Sequence, residues 1–120
     1  EVNKSSVIFD TSTNVNKYQK IIKKGFDFIE IPNDFPFTKL KNLTNKISEL
    51  AKEKNINDFN ISLRIKKLGL YQTKGFYSKE TNTMFLDPRY LEVWRHELAH
   101  YFVIKNSIIV ENEEEFADNF

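Results

Sequence analysis

The only two histidines of this 120-residue chain lie four positions apart, and a glutamate follows the first, giving the order His96-Glu97-x-x-His100. On an α-helix, residues four apart project from the same face, so both imidazoles can bind a single metal ion. Glu97 then lies beside that ion, where it can polarise a bound water instead of binding the metal. The spacing predicts a zinc hydrolase site, and the alternative is an amphipathic helix with two stacked histidines and a surface glutamate.

The composition limits which other groups such a site can contain. The chain has no cysteine, which excludes a disulfide framework, a cysteine-based zinc site and a thiol nucleophile. Histidine, aspartate and glutamate are then the remaining zinc ligands. The net charge of +1 gives no electrostatic reason to expect a nucleic acid or an anionic membrane as partner.

The length of the chain predicts one domain, residues 1–120, with a single core. Neither a signal peptide nor an apolar run of membrane-spanning length is recognisable in the chain as given. The chain begins at Glu1 and not at methionine, which leaves room for an upstream segment. The compartment and the oligomeric state therefore stay open at this stage.

A third metal ligand must be a carboxylate, and the acidic tail supplies candidates. A catalytic zinc ion usually has three protein ligands and an open position for water, and the chain has no further histidine. Glu114 and Asp118 are four apart, so a helix would place them on one face, with Phe116 and Phe120 roughly opposite. We expect Glu114 to bind the metal; the other carboxylates that spacing leaves open are Glu111, Glu113 and Glu115.

Asp118 has a different expected role, because it lies one helical turn beyond Glu114. From there it can hydrogen-bond the free ring nitrogen of a ligating histidine and fix its tautomer. The alternative for the whole acidic run is a solvated helix start whose charges suit the helix dipole. The presence of a metal motif that lacks its third ligand favours the metal-binding interpretation.

The histidines need a helix that presents them to a cleft. Asp87 and Pro88 are typical of an N-cap and a first helical position, so the motif helix is predicted from residue 88 to about residue 105. One apolar stripe of this helix should face the core, and the histidines lie on the opposite side. The stripe consists of Leu91, Trp94, Leu98 and Phe102.

Periodicity predicts the elements that support this helix. Apolar residues at helical spacing favour helices over roughly residues 12–24 and 38–54. Gly25, directly after the first of these, suits a helix C-cap. A short apolar run favours a strand at Val7 to Phe9, and a β-branched and aromatic run favours another at residues 26–31.

Two further β elements follow along the chain. Alternation with a period of two predicts a strand over residues 59–65. Residues 76–77 and 83–86 flank a polar segment and predict a β-hairpin that leads into the motif helix. A helix is predicted for the tail, residues 111–120.

With its histidine motif followed by an acidic tail, the chain resembles the gluzincins, zinc peptidases that combine His-Glu-x-x-His with a glutamate from a following helix. Residues 114–118 are similar to the Glu-x-x-Ala-Asp of the prenyl-protein endopeptidase and HtpX-like group. The small soluble minigluzincins are of similar size, and metallopeptidases of phages and mobile elements that cleave repressors carry a similar tail pattern. The resemblance covers about residues 83–120.

This resemblance implies His96, His100 and Glu114 as zinc ligands, Glu97 as general base and acid, and Asp118 as the hydrogen-bond partner of a ligand. It implies an α+β zincin-like fold: a small twisted sheet with an edge hairpin, backing helices, an active-site helix and a C-terminal glutamate helix. It further implies that the second hairpin arm is the sheet edge above the cleft, where an extended peptide would add as a strand. The residues of that arm are Thr83, Met84, Phe85 and Leu86.

The expected function is a zinc-dependent endopeptidase that acts on a peptide or protein substrate, without nucleic acid or membrane. Related families commonly supply a side chain to the transition-state oxyanion, and none is assigned here. A catalytically silent zincin-fold module that docks a partner is therefore the alternative, and a purely structural zinc site is a third. The donors available for the oxyanion are Tyr71, Tyr77, Arg89, Tyr90 and Tyr101.

Overall fold

Strands and helices build a mixed α+β fold in the computed structural model, which describes residues 7–9, 17–69 and 74–120. The first three strands precede a long helix, a fourth follows it, and a hairpin leads into two helices. The strands are β1 (Val7–Phe9), β2 (Tyr18–Lys23), β3 (Phe26–Pro32), β4 (Ile61–Ile65), β5 (Gly75–Ser78) and β6 (Thr83–Leu86). The helices are α1 (Phe37–Glu53), α2 (Trp94–Lys105) and α3 (Glu113–Asp118), and a 3₁₀ turn at Leu91–Val93 precedes α2.

One sheet contains all six strands, in the order β1-β2-β3-β4-β6-β5. β1, β2 and β3 pair antiparallel, β4 is parallel to both β3 and β6, and β5 pairs antiparallel with β6. The prediction that Thr83–Leu86 forms the sheet edge is wrong, because β6 pairs with β4 on one side and with β5 on the other. The first arm of the hairpin, β5, is the edge strand.

The core lies between the sheet and the apolar sides of the helices. Helix α1 confirms the helix predicted over 38–54 and buries the four predicted apolar residues. Three residues of β4 alternate into the same cluster, which confirms the strand predicted over 59–65 with a later start. Each fully buried Leu or Ile contributes about 1.5–3 kcal/mol. These buried core residues are Leu40, Leu43, Ile47 and Leu50 of α1 and Ile61, Leu63 and Ile65 of β4.

A row of side chains crosses four neighbouring strands, starting from an ion pair. Glu30, Arg64, Phe85 and Phe76 are successive cross-strand neighbours. Arg64 Nε donates to Glu30 Oε1 over 2.7 Å, and the Arg64 guanidinium lies 5.5 Å from the Phe85 ring centroid. The Phe85 and Phe76 rings stack with centroids 4.5 Å apart. The row connects the edge strand β5 to the interior of the sheet.

The helix predicted over residues 12–24 is wrong for residues 18–23, which form β2, while residues 12–16 lie outside the described residues. Gln19 and Ile21 are buried and their neighbours are not, which is the period of a strand. Gly25, with φ of 91°, belongs to the turn between β2 and β3 and not to a helix C-cap. Pairing with β1 and β3 therefore overrides the local helical spacing.

The motif helix begins at Trp94 and not at residue 88 as predicted. Asp87 does not cap it, because its carboxylate accepts hydrogen bonds from the backbone N–H of Leu68 and from the guanidinium of Arg89. The chain makes a turn and a 3₁₀ turn before the α-helix starts. Among the described residues, no helix combines the length and apolarity required to cross a bilayer.

Candidate metal centre

Helix α2 orients the two histidines by burying the side opposite to them. Leu98 is fully buried, and the Tyr101 ring packs edge-to-face against Phe59 at 5.5 Å, while its hydroxyl accepts a hydrogen bond from the backbone N–H of Asn60. With this side fixed in the core, His96 and His100 face outwards. Their side chains are only 25 % and 16 % exposed.

Helix α3 is attached to α2 through three phenylalanines. The Phe102 ring of α2 lies 6.2 Å from Phe116 and 5.2 Å from Phe120, which are themselves 5.7 Å apart. At its start, α3 is capped by Asn112, whose side-chain oxygen accepts from the backbone N–H of Glu115. A tail helix is confirmed, but it covers Glu113–Asp118 and not the predicted residues 111–120. The phenylalanine contacts turn its acidic face towards the histidines.

His96, His100 and Glu114 converge on one point. The two Nε2 atoms are 3.2 Å apart, His96 Nε2 is 3.0 Å from Glu114 Oε1, and His100 Nε2 is 3.2 Å from Glu114 Oε2. Tetrahedral sites with bonds of about 2.0–2.1 Å place their ligand atoms about 3.3 Å apart, so the spacing fits one ion. The three side chains can hold a metal ion.

The other ring nitrogens also face carboxylates of α3. His96 Nδ1 lies 2.9 Å from Asp118 Oδ1, and His100 Nδ1 lies 2.6 Å from Glu113 Oε2. An imidazole that donates its Nδ1 proton to a carboxylate presents the Nε2 lone pair to a metal. Both rings therefore have the partner that favours the ligating tautomer, which is a further fit to a cation.

Glu97 lies beside this group without belonging to it, since the group that could hold a metal ion consists of the two histidines and Glu114. Burial is the largest influence on its carboxyl and raises its pKa, while the charges of His100 and His96 lower it. Glu114 raises the pKa further, and the backbone amide of Tyr77 lowers it. The net direction is upward, so the Glu97 carboxylate is a stronger proton acceptor than a solvated glutamate.

An open cleft lies in front of these residues, with β5 on one side and α2 and α3 on the other. One part, of about 630 Å³, extends past Tyr77 and Ile104, and a second part, of about 570 Å³, extends past Lys74 and Asp118. Three residues line both parts, so the cleft continues to either side of the histidine–glutamate group. The shared residues are Gly75, His96 and Glu97.

The hairpin arm predicted to meet the substrate does not line this cleft. Thr83, Met84 and Leu86 are buried, and Phe85 stacks on Phe76 in the cross-strand row. The edge strand that borders the cleft is β5.

Two of the donors considered for the oxyanion donate to other partners, and a third is buried. The Tyr77 hydroxyl donates to Asn82 and the Arg89 guanidinium donates to Asp87, while the Tyr101 side chain is buried. Tyr71 lies outside the described residues. No oxyanion donor is assigned.

One residue of the site, Glu113, entered the sequence-based prediction only as a possible metal ligand. Its carboxylate contacts Nδ1 of His100 and not the point at which both Nε2 atoms converge. Adjacent helical residues diverge by about 100°, so spacing alone does not place Glu113 and Glu114 at the same ring. The only sequence signal for Glu113 was its place in the acidic run that contains Glu114. The direction in which its side chain points depends on how α3 crosses α2.

Comparison with known proteins gives no family or relative for this chain. It matches no protein-family model, and neither the curated proteins nor the solved structures contain a match.

Proposed function

We propose that the protein is a zinc-dependent endopeptidase of the gluzincin type. The observation that carries the proposal is the convergence of His96 Nε2, His100 Nε2 and the Glu114 carboxylate at separations of 3.0–3.2 Å, with Glu97 buried next to them. Three protein ligands that include two histidines and one carboxylate are typical of catalytic zinc, because a fourth position remains for water.

The arrangement of elements also supports a zincin-like fold. A twisted sheet with a hairpin at one edge is followed by the histidine helix α2 and then by the glutamate helix α3. The same order of elements is expected for a gluzincin. Fold alone does not assign chemistry, so the support for activity comes from the side chains of the site.

Within the proposed enzyme, His96, His100 and Glu114 would hold the zinc ion, and Asp118 would orient His96 through Nδ1. A zinc ion bound there would supply a Lewis acid that lowers the pKa of a water molecule towards neutrality. Glu97, buried beside the three residues, would accept the proton of that water and return it to the leaving amine.

The proposed substrate is an extended peptide that pairs with the edge of β5. Within the described part of the chain, no strand pairs with the outer edge of β5, and such an edge offers backbone groups to a peptide. Gly75, Phe76 and Tyr77 of β5 line the cleft. The cleft continues on both sides of His96 and Glu97, which leaves room for chain on either side of the scissile bond. That continuity favours an endopeptidase.

Zinc content and peptide hydrolysis test the proposal together. Elemental analysis of the purified protein should give one zinc per chain, and a mixed peptide library should be cleaved. Glu97→Gln should retain zinc and lose at least about a hundredfold in rate, because the general base is removed. Glu115→Gln, on the same helix as Glu114, should behave as wild type. A protein that binds no transition metal and ignores chelators would overturn the proposal.

A catalytically silent binding module is the second candidate. It is favoured by the hydrogen bonds that Tyr77 and Arg89 donate to Asn82 and Asp87, and by the burial of Tyr101, which together leave these donors away from a substrate oxyanion. Stoichiometric zinc without cleavage of any library peptide would favour this module. A structural zinc site has less support, since Glu113 and Asp118 contact ring Nδ1 atoms instead of completing the ligand set.

A further inference from the structure

Glu113 makes the shortest contact of the site, 2.6 Å from its Oε2 to His100 Nδ1. We propose that Glu113 is a positioning residue that fixes the ring orientation and tautomer of His100 for cation binding. The proposal deepens the proposed function and rests on the same metal site. It assigns no ligand role to Glu113.

The geometry of the contact supports this role. The His100 side chain is 16 % exposed and that of Glu113 is 41 % exposed, so the pair is partly shielded from water. A hydrogen bond between an imidazole N–H and a carboxylate is charge-assisted, and such bonds are shorter and stronger than neutral ones. With Nδ1 held as a donor, Nε2 keeps a free lone pair, and it lies 3.2 Å from Glu114 Oε2, a separation at which both atoms can bind one cation.

The position of Glu113 in α3 explains why it can act this way. It is the first residue of the helix and directly follows the cap Asn112, while Phe116 packs against α2 one turn later. Both ends of that first turn are therefore fixed. Helix α3 supplies the ligand Glu114 and, on either side of it in sequence, one carboxylate for each histidine, Glu113 and Asp118.

Partners of this kind typically change metal affinity by about 10–100-fold when they are removed, although they do not touch the metal. We expect Glu113→Ala to raise the Kd for Zn²⁺ by that factor. Glu113→Gln keeps an oxygen that accepts from Nδ1 but loses the charge, so it should restore part of the affinity. Glu115→Gln removes one negative charge from the same turn and serves as the matched control, with an expected change of less than about twofold.

The first experiment measures the Kd for Zn²⁺ of the full chain by competition with a chromophoric chelator. Co²⁺ spectra of the same proteins separate positioning from ligation. Glu113→Gln should keep the wild-type band shape, whereas Glu114→Gln should change it because a ligand is lost. An altered Co²⁺ band in Glu113→Gln would make Glu113 a ligand and overturn the proposal. Equal affinity losses for Glu113→Gln and Glu115→Gln would overturn it too, since the effect would then be general charge.

A second experiment needs no metal, so it distinguishes failure of this inference from failure of the proposed function. Nitrogen-15 spectra of the histidine rings in the chelator-treated protein report which ring nitrogen carries the proton. His100 Nδ1 should be protonated in the wild type, and Glu113→Ala should shift the proton towards Nε2, next to Glu114. An unprotonated Nδ1, or a proton distribution that the substitution leaves unchanged, would overturn the proposal even if zinc binds.

Discussion

The ring of Phe120 lies 5.2 Å from the ring of Phe102, and this contact fixes the end of α3 against the histidine helix. The Lys54 ammonium also lies 4.7 Å from the Phe120 ring centroid. The ring therefore connects α3 to both α2 and the end of α1. A residue without any metal-binding atom thus controls where Glu114 is held.

Phe120→Ala should destabilise the fold by about 3 kcal/mol, as expected for truncating a buried phenylalanine. It should also weaken Zn²⁺ binding, because α3 loses part of its attachment to α2. Urea unfolding and chelator competition measure the two effects. The control is Phe37→Ala, since that ring is 54 % exposed. If Phe120→Ala is clearly destabilised but keeps the zinc affinity of the wild type, the packing of Phe120 does not position the metal-binding residues.

Gly75→Ala should destabilise the protein by about 1–3 kcal/mol through overpacking at the edge strand. A Cβ at this position would lie 2.9 Å from the backbone oxygen of Phe85 and 2.9 Å from Val93 Cγ2. Gly69→Ala is the matched control, because a Cβ there meets no atom within 4 Å. Thermal unfolding of both variants checks the prediction, and equal melting temperatures would contradict it.

Asp87→Asn should lower the free energy of unfolding by about 2 kcal/mol at neutral pH, because the carboxylate accepts charge-assisted bonds in a buried position. Hydrogen bonds from Arg89 hold the pKa of Asp87 well below its usual range, outweighing the opposing effect of burial. A lowered pKa stabilises the fold at pH values above the ordinary value of about 4, and this stabilisation is lost as pH falls below it. Urea unfolding of wild type and variant should therefore converge on acidification. A difference independent of pH would contradict the assignment.

The Tyr77 hydroxyl should lose its proton at a higher pH than an ordinary tyrosine hydroxyl. Burial, with a smaller effect from Tyr101, raises the pKa of Tyr77 to about 12. Its stabilising contribution is therefore complete below the ordinary value of about 10 and is lost as pH rises towards 12. The difference in near-ultraviolet absorbance between wild type and Tyr77→Phe should show a single phenol with its midpoint near 12. A midpoint at the ordinary value would show that the ring is solvated.

Zinc should stabilise the fold by an amount that rises with the logarithm of its concentration relative to the Kd. A ligand that binds only the folded state adds about 2.7 kcal/mol at one hundred times its Kd. Chelator should therefore lower the melting temperature of wild type and of Glu115→Gln, whereas Glu114→Gln should respond little to zinc or chelator. The same response in all three proteins would mean that Glu114 is not a ligand.

The residues that could hold a metal ion were predicted from the sequence because their geometry is local. His96 and His100 share a face of any helix, and Glu114 and Asp118 share a face of the next one. The packing of Phe102 against Phe116 and Phe120 joins the two helices, whereas the sequence showed these residues only as apolar positions. The contact of Glu113 depends on the crossing of α3 over α2, which no spacing reveals.

Two errors in the fold prediction have a common cause in strand pairing. Thr83–Leu86 has the pattern of a strand, but pattern does not say that β5 adds outside it. Residues 18–23 carry helical spacing and strand-forming side chains together, and their partners β1 and β3 decide the outcome. Non-local pairing thus determined both cases, whereas α1, which depends on one apolar face, was predicted within a residue at each end.

The row from Glu30 through Arg64 and Phe85 to Phe76 has a thermodynamic consequence for any strand that adds to β5. The backbone of β5 is held from the interior of the sheet before a guest arrives. The conformational entropy of β5 is then largely lost when the protein folds and not when a peptide binds. The entropy lost on binding to such a preorganised edge is then mainly that of the incoming peptide. Segments that are already rigid and extended should therefore bind this edge most tightly.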